Sequence, residues 1–137
     1  MENLMIRPMD FELKEPDERI VQLSLGAAIS VHKALGPGLL ESTYENAMMI
    51  ELADREIGAK RQVEIPAMYK GRDLGVGYRA DIIVADCLLL ELKTVEALSA
   101  LHIAQLITYL RLLRFKRGYL LNFNCKTMAK GIKRISI

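Results

Sequence analysis

The sequence predicts an α/β fold, a mixed β-sheet flanked by α-helices. Apolar residues first recur every three or four positions, from residue 17 to about 56, as on amphipathic helices. Between residues 60 and 95 the pattern changes to short alternating or continuous apolar runs, which read as strands. Helical spacing then returns over 96–115 and leads into the strand-like "GYLLNFN". A helix joining two strands in this way implies that the sheet contains a parallel pair.

Residues 1–16 form a polar arm closed by Pro16, and 17–137 form one domain with no repeat or linker. The first helix starts at Asp17, carries Ile20, Leu23, Ala27, Val31 and Leu35 on its apolar stripe, and stops at "GPG", 36–38. The second runs from about Leu39 to Glu56, with Leu40, Tyr44, Ala47, Met48 and Leu52 inward and Gly58 ending it. Breaks at Lys70-Gly71 and Ala85-Asp86 divide the next stretch into a three-stranded meander. The third helix uses Leu98, Leu101, Ile103, Leu106, Tyr109, Leu110 and Leu113, and "GIKRISI" supplies a last short strand.

With 137 residues, 51% hydrophobic and 26% charged, the chain can bury a core without staples. Cys87 and Cys125 show no CxxC or Cys/His spacing, which points to reduced thiols and a cytoplasmic location. No apolar run reaches the length of a membrane span, and the first residues lack a signal-peptide layout. Charge is unevenly distributed although the net value is only +2. Six acids stand in the first twenty residues; after Glu96 there are none, against eight bases. Such a basic half marks either a polyanion-binding face or a counterweight to the acidic half.

The run "CLLLELKTV" places charges in what is otherwise an interior strand. Burying an unpaired charge costs several kcal/mol or more, so Glu91 and Lys93 need compensation. Alternation puts Leu88, Leu90 and Leu92 on one face and Glu91 with Lys93 on the other. In "YRADIIV", Tyr78, Ala80 and Ile82 share one face, and Arg79 with Asp81 the opposite one. A hairpin across Ala85-Asp86 brings Asp81 roughly opposite Glu91. Two carboxylates and a lysine gathered on one face suit a divalent cation, because Mg²⁺ takes oxygen ligands and retains waters. Lys93 can orient an attacking water and offset charge building on a phosphate. The structural alternative is a salt bridge from Lys93 to Asp81 or Glu91.

The pattern Asp81…Glu91-Leu92-Lys93, followed by a helix with Gln105 and Tyr109, resembles the PD-(D/E)XK nuclease superfamily. Within it, Gly38-x-x-Glu41-x-x-Tyr44 in "GPGLLESTYENAM" resembles the signature of the GxxExxY protein family, with "VHKALGPG", "ELKTVEALSALHIAQLITYL" and "LLNFN…GIKRI" in the same order over residues from about 17 to 137. The resemblance implies a restriction-endonuclease-like core and metal-dependent hydrolysis of DNA or RNA. Carried over by position, it implies Asp81, Glu91 and Glu41 as ligands of Mg²⁺ or Mn²⁺, Lys93 as the catalytic lysine, and Gln105 as a helix residue steadying the site. Ala80 stands where the superfamily name has Pro.

The basic residues Arg79, Arg111, Arg114, Lys133 and Arg134 are candidate nucleic-acid contacts, acting through phosphates without sequence choice. Plainer roles exist for several of these residues. Glu41 suits a first helical turn by helix dipole or capping. Tyr44 suits a packed aromatic, Gln105 and Tyr109 can bond each other, and Arg79 can be a counter-charge. His32 and His102 read as satisfied core or boundary histidines. The alternative function is a nucleic-acid-binding or assembly module that keeps the fold without turnover, and a less favoured one is a small-ligand protein using the same cleft. A core this small is expected to work through a homodimer or a partner protein.

Overall fold

A computed structural model of the protein describes residues 12–75 and 77–137. Helices α1 (Glu18–Leu35) and α2 (Glu41–Asp54) precede β1 (Ala59–Ile65), a small hairpin of β2 (Met68–Tyr69) and β3 (Arg72–Asp73), then β4 (Tyr78–Val84) and β5 (Leu88–Lys93). Helix α3 (Ala100–Leu113) follows, then β6 (Arg117–Asn122), the short α4 (Met128–Gly131) and β7 (Ile132–Ser136). Five strands form one sheet in the order β1-β4-β5-β6-β7, and β2-β3 stands apart as its own pair. Within this sheet β5 and β6 pair in parallel, because α3 carries the chain back between them.

Local chemistry explains the element ends. Asp17 caps α1 by accepting the Arg19 N–H at 2.7 Å, and Gly36 (φ 68°) closes it by donating its N–H to His32. Helix α3 begins at Ala100, later than the apolar spacing alone predicts, because Ser99 and His102 form a reciprocal capping box there. His102 therefore serves the helix end, and His32 is a buried tie whose Nε2 lies 2.8 Å from the Cys125 carbonyl. The expected break at Lys70-Gly71 closes the β2-β3 hairpin, while β1 pairs directly with β4.

Two cores sandwich the sheet. Val21, Ala27, Val31, Tyr44, Met48 and Leu52 of α1 and α2 pack on Ile82, Val84, Leu88, Leu90, Leu92 and Leu121. Leu106, Tyr109 and Leu110 of α3 pack on Ala80, Ile83, Leu89 and Leu120. Of the N-terminal arm, residues 12–16 are described. Lys14 makes a parallel bridge to Phe115, and Glu15 and Glu18 stand 3.8 and 3.2 Å from the buried Arg117. One C-terminal base is thus used to hold the acidic N-terminal segment.

Candidate active site

Strands β4 and β5 pair through Val84↔Leu88, Ile83↔Leu89 and Ile82↔Leu90, and the next step faces Asp81 with Glu91. There the ordinary ladder gives way to side chains. Glu91 Oε2 accepts the Asp81 N–H at 2.7 Å, and Asp81 Oδ2 accepts the Leu92 N–H at 2.8 Å. Each carboxylate satisfies a backbone donor that the splayed strands would otherwise leave unpaired.

The simple alternation expected along β4 fails at this point. Ala80 packs in the α3-side core whereas Ile82 packs in the α1/α2-side core, so these two residues do not share a face. The neighbouring strand is irregular at the same level: on β1, Gln62 adopts φ 52° between the pairs Arg61↔Ile82 and Val63↔Ala80.

Asp81 consequently reaches a cavity of about 260 Å³ that it lines with Glu41, Ser42, Glu45, Gln62 and Leu92. Burial raises the Asp81 carboxyl to about 6 against the relief given by the Leu92 N–H, and the Glu41 charge raises it further. Glu91, 6% exposed, is pushed up to about 8, first by burial and then by the Asp81 charge. Both shifts express the same condition: carboxylates crowded together and shielded from water.

Glu41 is the first residue of α2, and the preceding turn determines where that helix starts. The buried Tyr44 hydroxyl donates to the Gly36 carbonyl at 2.5 Å and accepts the Leu39 N–H at 3.2 Å, while its ring stacks on Phe123 with centroids 4.5 Å apart. Tyr44 is therefore the fastener of the "GPG" turn. One helical turn beyond Glu41 stands Glu45, which sequence reasoning passed over although its i,i+4 spacing puts it on the same side. Glu45 accepts from Gln62 Nε2 at 2.5 Å and lies 3.7 Å from Arg61.

Lys93 ends β5, half-buried, and its charge lowers both carboxylates. Among the described residues it makes no ion pair with either, so the salt-bridge alternative is not what the lysine forms. Its carbonyl accepts the Phe123 N–H at 2.9 Å. Beyond it, the buried Asn122 holds Val95 from both sides, Nδ2 to the Val95 carbonyl at 2.9 Å and Oδ1 from the Val95 N–H at 3.1 Å.

With this arrangement of sheet, carboxylates and lysine, a family profile described as PD-(D/E)XK nuclease superfamily matches residues 18–135. The chain belongs to the PD-(D/E)XK nuclease superfamily. Comparison with curated proteins and with solved structures gives no match. The mixed five-stranded sheet flanked by helices is the core expected of a PD-(D/E)XK protein, and nucleases of that superfamily typically use divalent metals.

Among the described residues, no three His, Cys, Asp or Glu side chains are grouped as a ready-made metal cage. The donor chemistry nevertheless fits a hard divalent ion. All the cavity's acidic donors are oxygen, they carry surplus negative charge, and Mg²⁺ needs only one or two carboxylates beside waters and substrate phosphate.

The remaining PD-(D/E)XK candidates fall in different places. Gln105 is exposed and donates to the Tyr109 hydroxyl at 3.1 Å. Burial and then the Glu91 charge push the Tyr109 phenol up, which puts this pair beside the site. Arg79 stands 3.8 Å from Glu64 across β1 and β4. Arg111 is exposed in the last turn of α3, and Arg114 caps that helix in a left-handed conformation. Lys133 lies level with Glu91 through the pairs Glu91↔Leu120↔Lys133, on the α3 side with Ile135. Arg134 alternates to the other face, with Ile132, so the two do not form one patch.

Proposed function

We propose that this chain hydrolyses phosphodiester bonds of DNA or RNA with Mg²⁺ or Mn²⁺ as cofactor. The observation that carries the reading is the Asp81–Glu91 pair, two buried carboxylates held together by backbone N–H groups, whose crowding a cation would relieve, beside a lysine tied to neither. Asp81 and Glu91 would hold the ion, with Glu41 reaching it directly or through water. When bound, the cation supplies Lewis acidity at the scissile phosphate. Lys93 orients the attacking water and offsets charge developing on the phosphate. Gln105 acts through Tyr109, steadying the α3 side of the site. Lys133, on the Glu91 face, is the best placed of the five basic candidates, and Arg79, Arg111, Arg114 and Arg134 extend the phosphate contacts.

We further assign the chain to the GxxExxY family, since the Tyr44 hydroxyl gives that motif a physical basis by fixing the turn before Glu41. Free Cys87 and Cys125 support a reducing, cytoplasmic setting. No described helix is long and apolar enough to cross a membrane.

One observation favours a second reading, a nucleic-acid-binding or assembly module without turnover. An oxygen of each central carboxylate is already engaged by backbone, and among the described residues no three His, Cys, Asp or Glu side chains are grouped so as to hold a metal ion. A cleavage assay separates the two. Labelled single- and double-stranded DNA and RNA are incubated with Mg²⁺, Mn²⁺ or EDTA, using wild type, Asp81→Ala and Lys93→Ala. Metal-dependent cutting lost in both folded variants establishes the nuclease. Absence of cutting on every substrate, with no metal binding by calorimetry, leaves the binding module.

A further inference from the structure

Residues 66–75, between β1 and β4, carry a surface that the carboxylate site does not use. Strands β2 and β3 pair through Met68↔Asp73 and Tyr69↔Arg72. Lys70 and Gly71 close the hairpin with φ of 49° and 75°. Two left-handed residues match the twist of a two-residue hairpin, and Gly71 adopts that conformation freely. Lysine does not, so hairpin closure alone gives no reason for Lys70 at the tip.

What Lys70 contributes is charge beside an aromatic ring. Its Nζ lies 5.6 Å from the centroid of Tyr69, which is 45% exposed, and Arg72 stands directly across the strand pair. Neither cation makes an ion pair among the described residues. The hairpin's one acid, Asp73, is turned into its own loop, accepting the Gly75 N–H at 2.8 Å. The tip is therefore a tyrosine flanked by two available positive charges.

Topology brings this tip to the functional end of the sheet. The hairpin springs from the end of the β1–β4 ladder marked by Ile65↔Tyr78. Because β5 runs antiparallel to β4, with Ile82 opposite Leu90, the Tyr78 end of β4 is also the Lys93 end of β5. The hairpin and the carboxylates therefore stand toward the same end of the sheet.

We propose that the β2-β3 hairpin is a wing that grips single-stranded nucleic acid beside the site, Tyr69 stacking on an unpaired base and Lys70 and Arg72 contacting the flanking phosphates. The inference deepens the nuclease reading and rests on it for the identity of the neighbouring site, but its binding chemistry is independent of cleavage. Every base offers a π-face, so an exposed tyrosine with adjacent cations binds without sequence preference. Paired bases are already stacked on each other, which directs the wing to single strands or opened ends.

The test is fluorescence anisotropy of a short labelled single strand and of its duplex, in EDTA so that nothing is cut, across a series of salt concentrations. Tyr69→Ala weakens single-strand binding about tenfold with the salt slope kept, and Tyr69→Trp restores it. Replacing Lys70 and Arg72 together by Gln flattens the slope of log K against log salt by about 1.4, two phosphates' worth. All three changes lie on exposed residues, and equal melting curves confirm that the variants fold. Wild-type affinity in every variant, an equal loss on duplex, or no binding by wild type overturns the proposal. If the variants behave as expected while wild type cuts nothing, the wing stands and the hydrolytic reading falls.

Discussion

Glu91 and Asp81 are joined through each other's backbone: the Glu91 carboxylate accepts the Asp81 N–H at 2.7 Å, and Asp81 in turn accepts from Leu92, the residue after Glu91. Neither carboxylate can move far without exposing an unsatisfied buried donor, which costs about 1–3 kcal/mol. The pair is thus held in place by the backbone itself, and the cost of burial and crowding appears as carboxyl pKa values raised above the ordinary range.

That cost has a definite pH dependence. In the unfolded chain both acids ionise near their ordinary values, whereas in the folded chain Asp81 holds its proton to about 6 and Glu91 to about 8. The folded state binds more protons across this interval, so the pair's contribution to stability is full below about pH 4 and is lost as pH rises through these values. The metal-free protein should show a site-dependent fall in melting temperature between pH 5 and pH 8.5. Asp81→Asn with Glu91→Gln should flatten it, and Mn²⁺ should raise the melting temperature more at pH 8 than at pH 5. A dependence unchanged in the double variant would remove the crowded pair as its source.

Tyr44→Phe tests the turn. The ring and its stacking on Phe123 survive, but the Gly36 carbonyl and Leu39 N–H lose their buried partner. Stability should fall by about 1–3 kcal/mol in urea unfolding. Cleavage should fall with it, through a displaced Glu41. Activity lost at full stability would instead mark Tyr44 as a chemical participant.

Lys93→Met separates charge from structure. With no ion pair to either carboxylate, the substitution should change stability by no more than about 1 kcal/mol, compared with about 3–5 for breaking a buried pair. The cleavage rate should drop about 10²–10³-fold, the scale of losing one group that stabilises developing charge. A large destabilisation would show that Lys93 is a structural partner after all.

Asn122→Ala removes the two-sided hold on Val95, and the unpaired Val95 groups should cost about 1–3 kcal/mol. Because Val95 lies two residues past Lys93, the turnover number should fall more than the affinity for nucleic acid. Measuring kcat and KM separately checks this; a change confined to KM would place Asn122 in substrate binding.

The main helices and strands along the chain and the facing of Asp81 by Glu91 were legible, because apolar spacing and the break at Ala85-Asp86 are local properties. The reversal of faces at Asp81 was not. Beside it on β1, Gln62 takes a left-handed backbone for which its residue type has no marked preference. Helix α4 has four residues, too few for a helical period to register. The basic C-terminal third was visible as charge, but Lys133 and Arg134 are adjacent in sequence and diverge in space for the same reason that alternation works elsewhere. Glu45 did have a signal, its position one turn after Glu41, and only the cavity that joins both to Asp81 gives that signal weight.

The hold of Asn122 on Val95 also determines when the site can exist. Hairpin β4–β5 is local in sequence, but Asn122 lies 27 residues beyond Val95, past the whole α3 crossover. During synthesis the two carboxylates can therefore meet early, while the segment just past Lys93 remains unfastened until β6 has emerged and docked in parallel beside β5. A chain interrupted within α3 would carry the acids and the lysine without the strand that fixes their exit. Completion of the site is thereby coupled to near-completion of the fold.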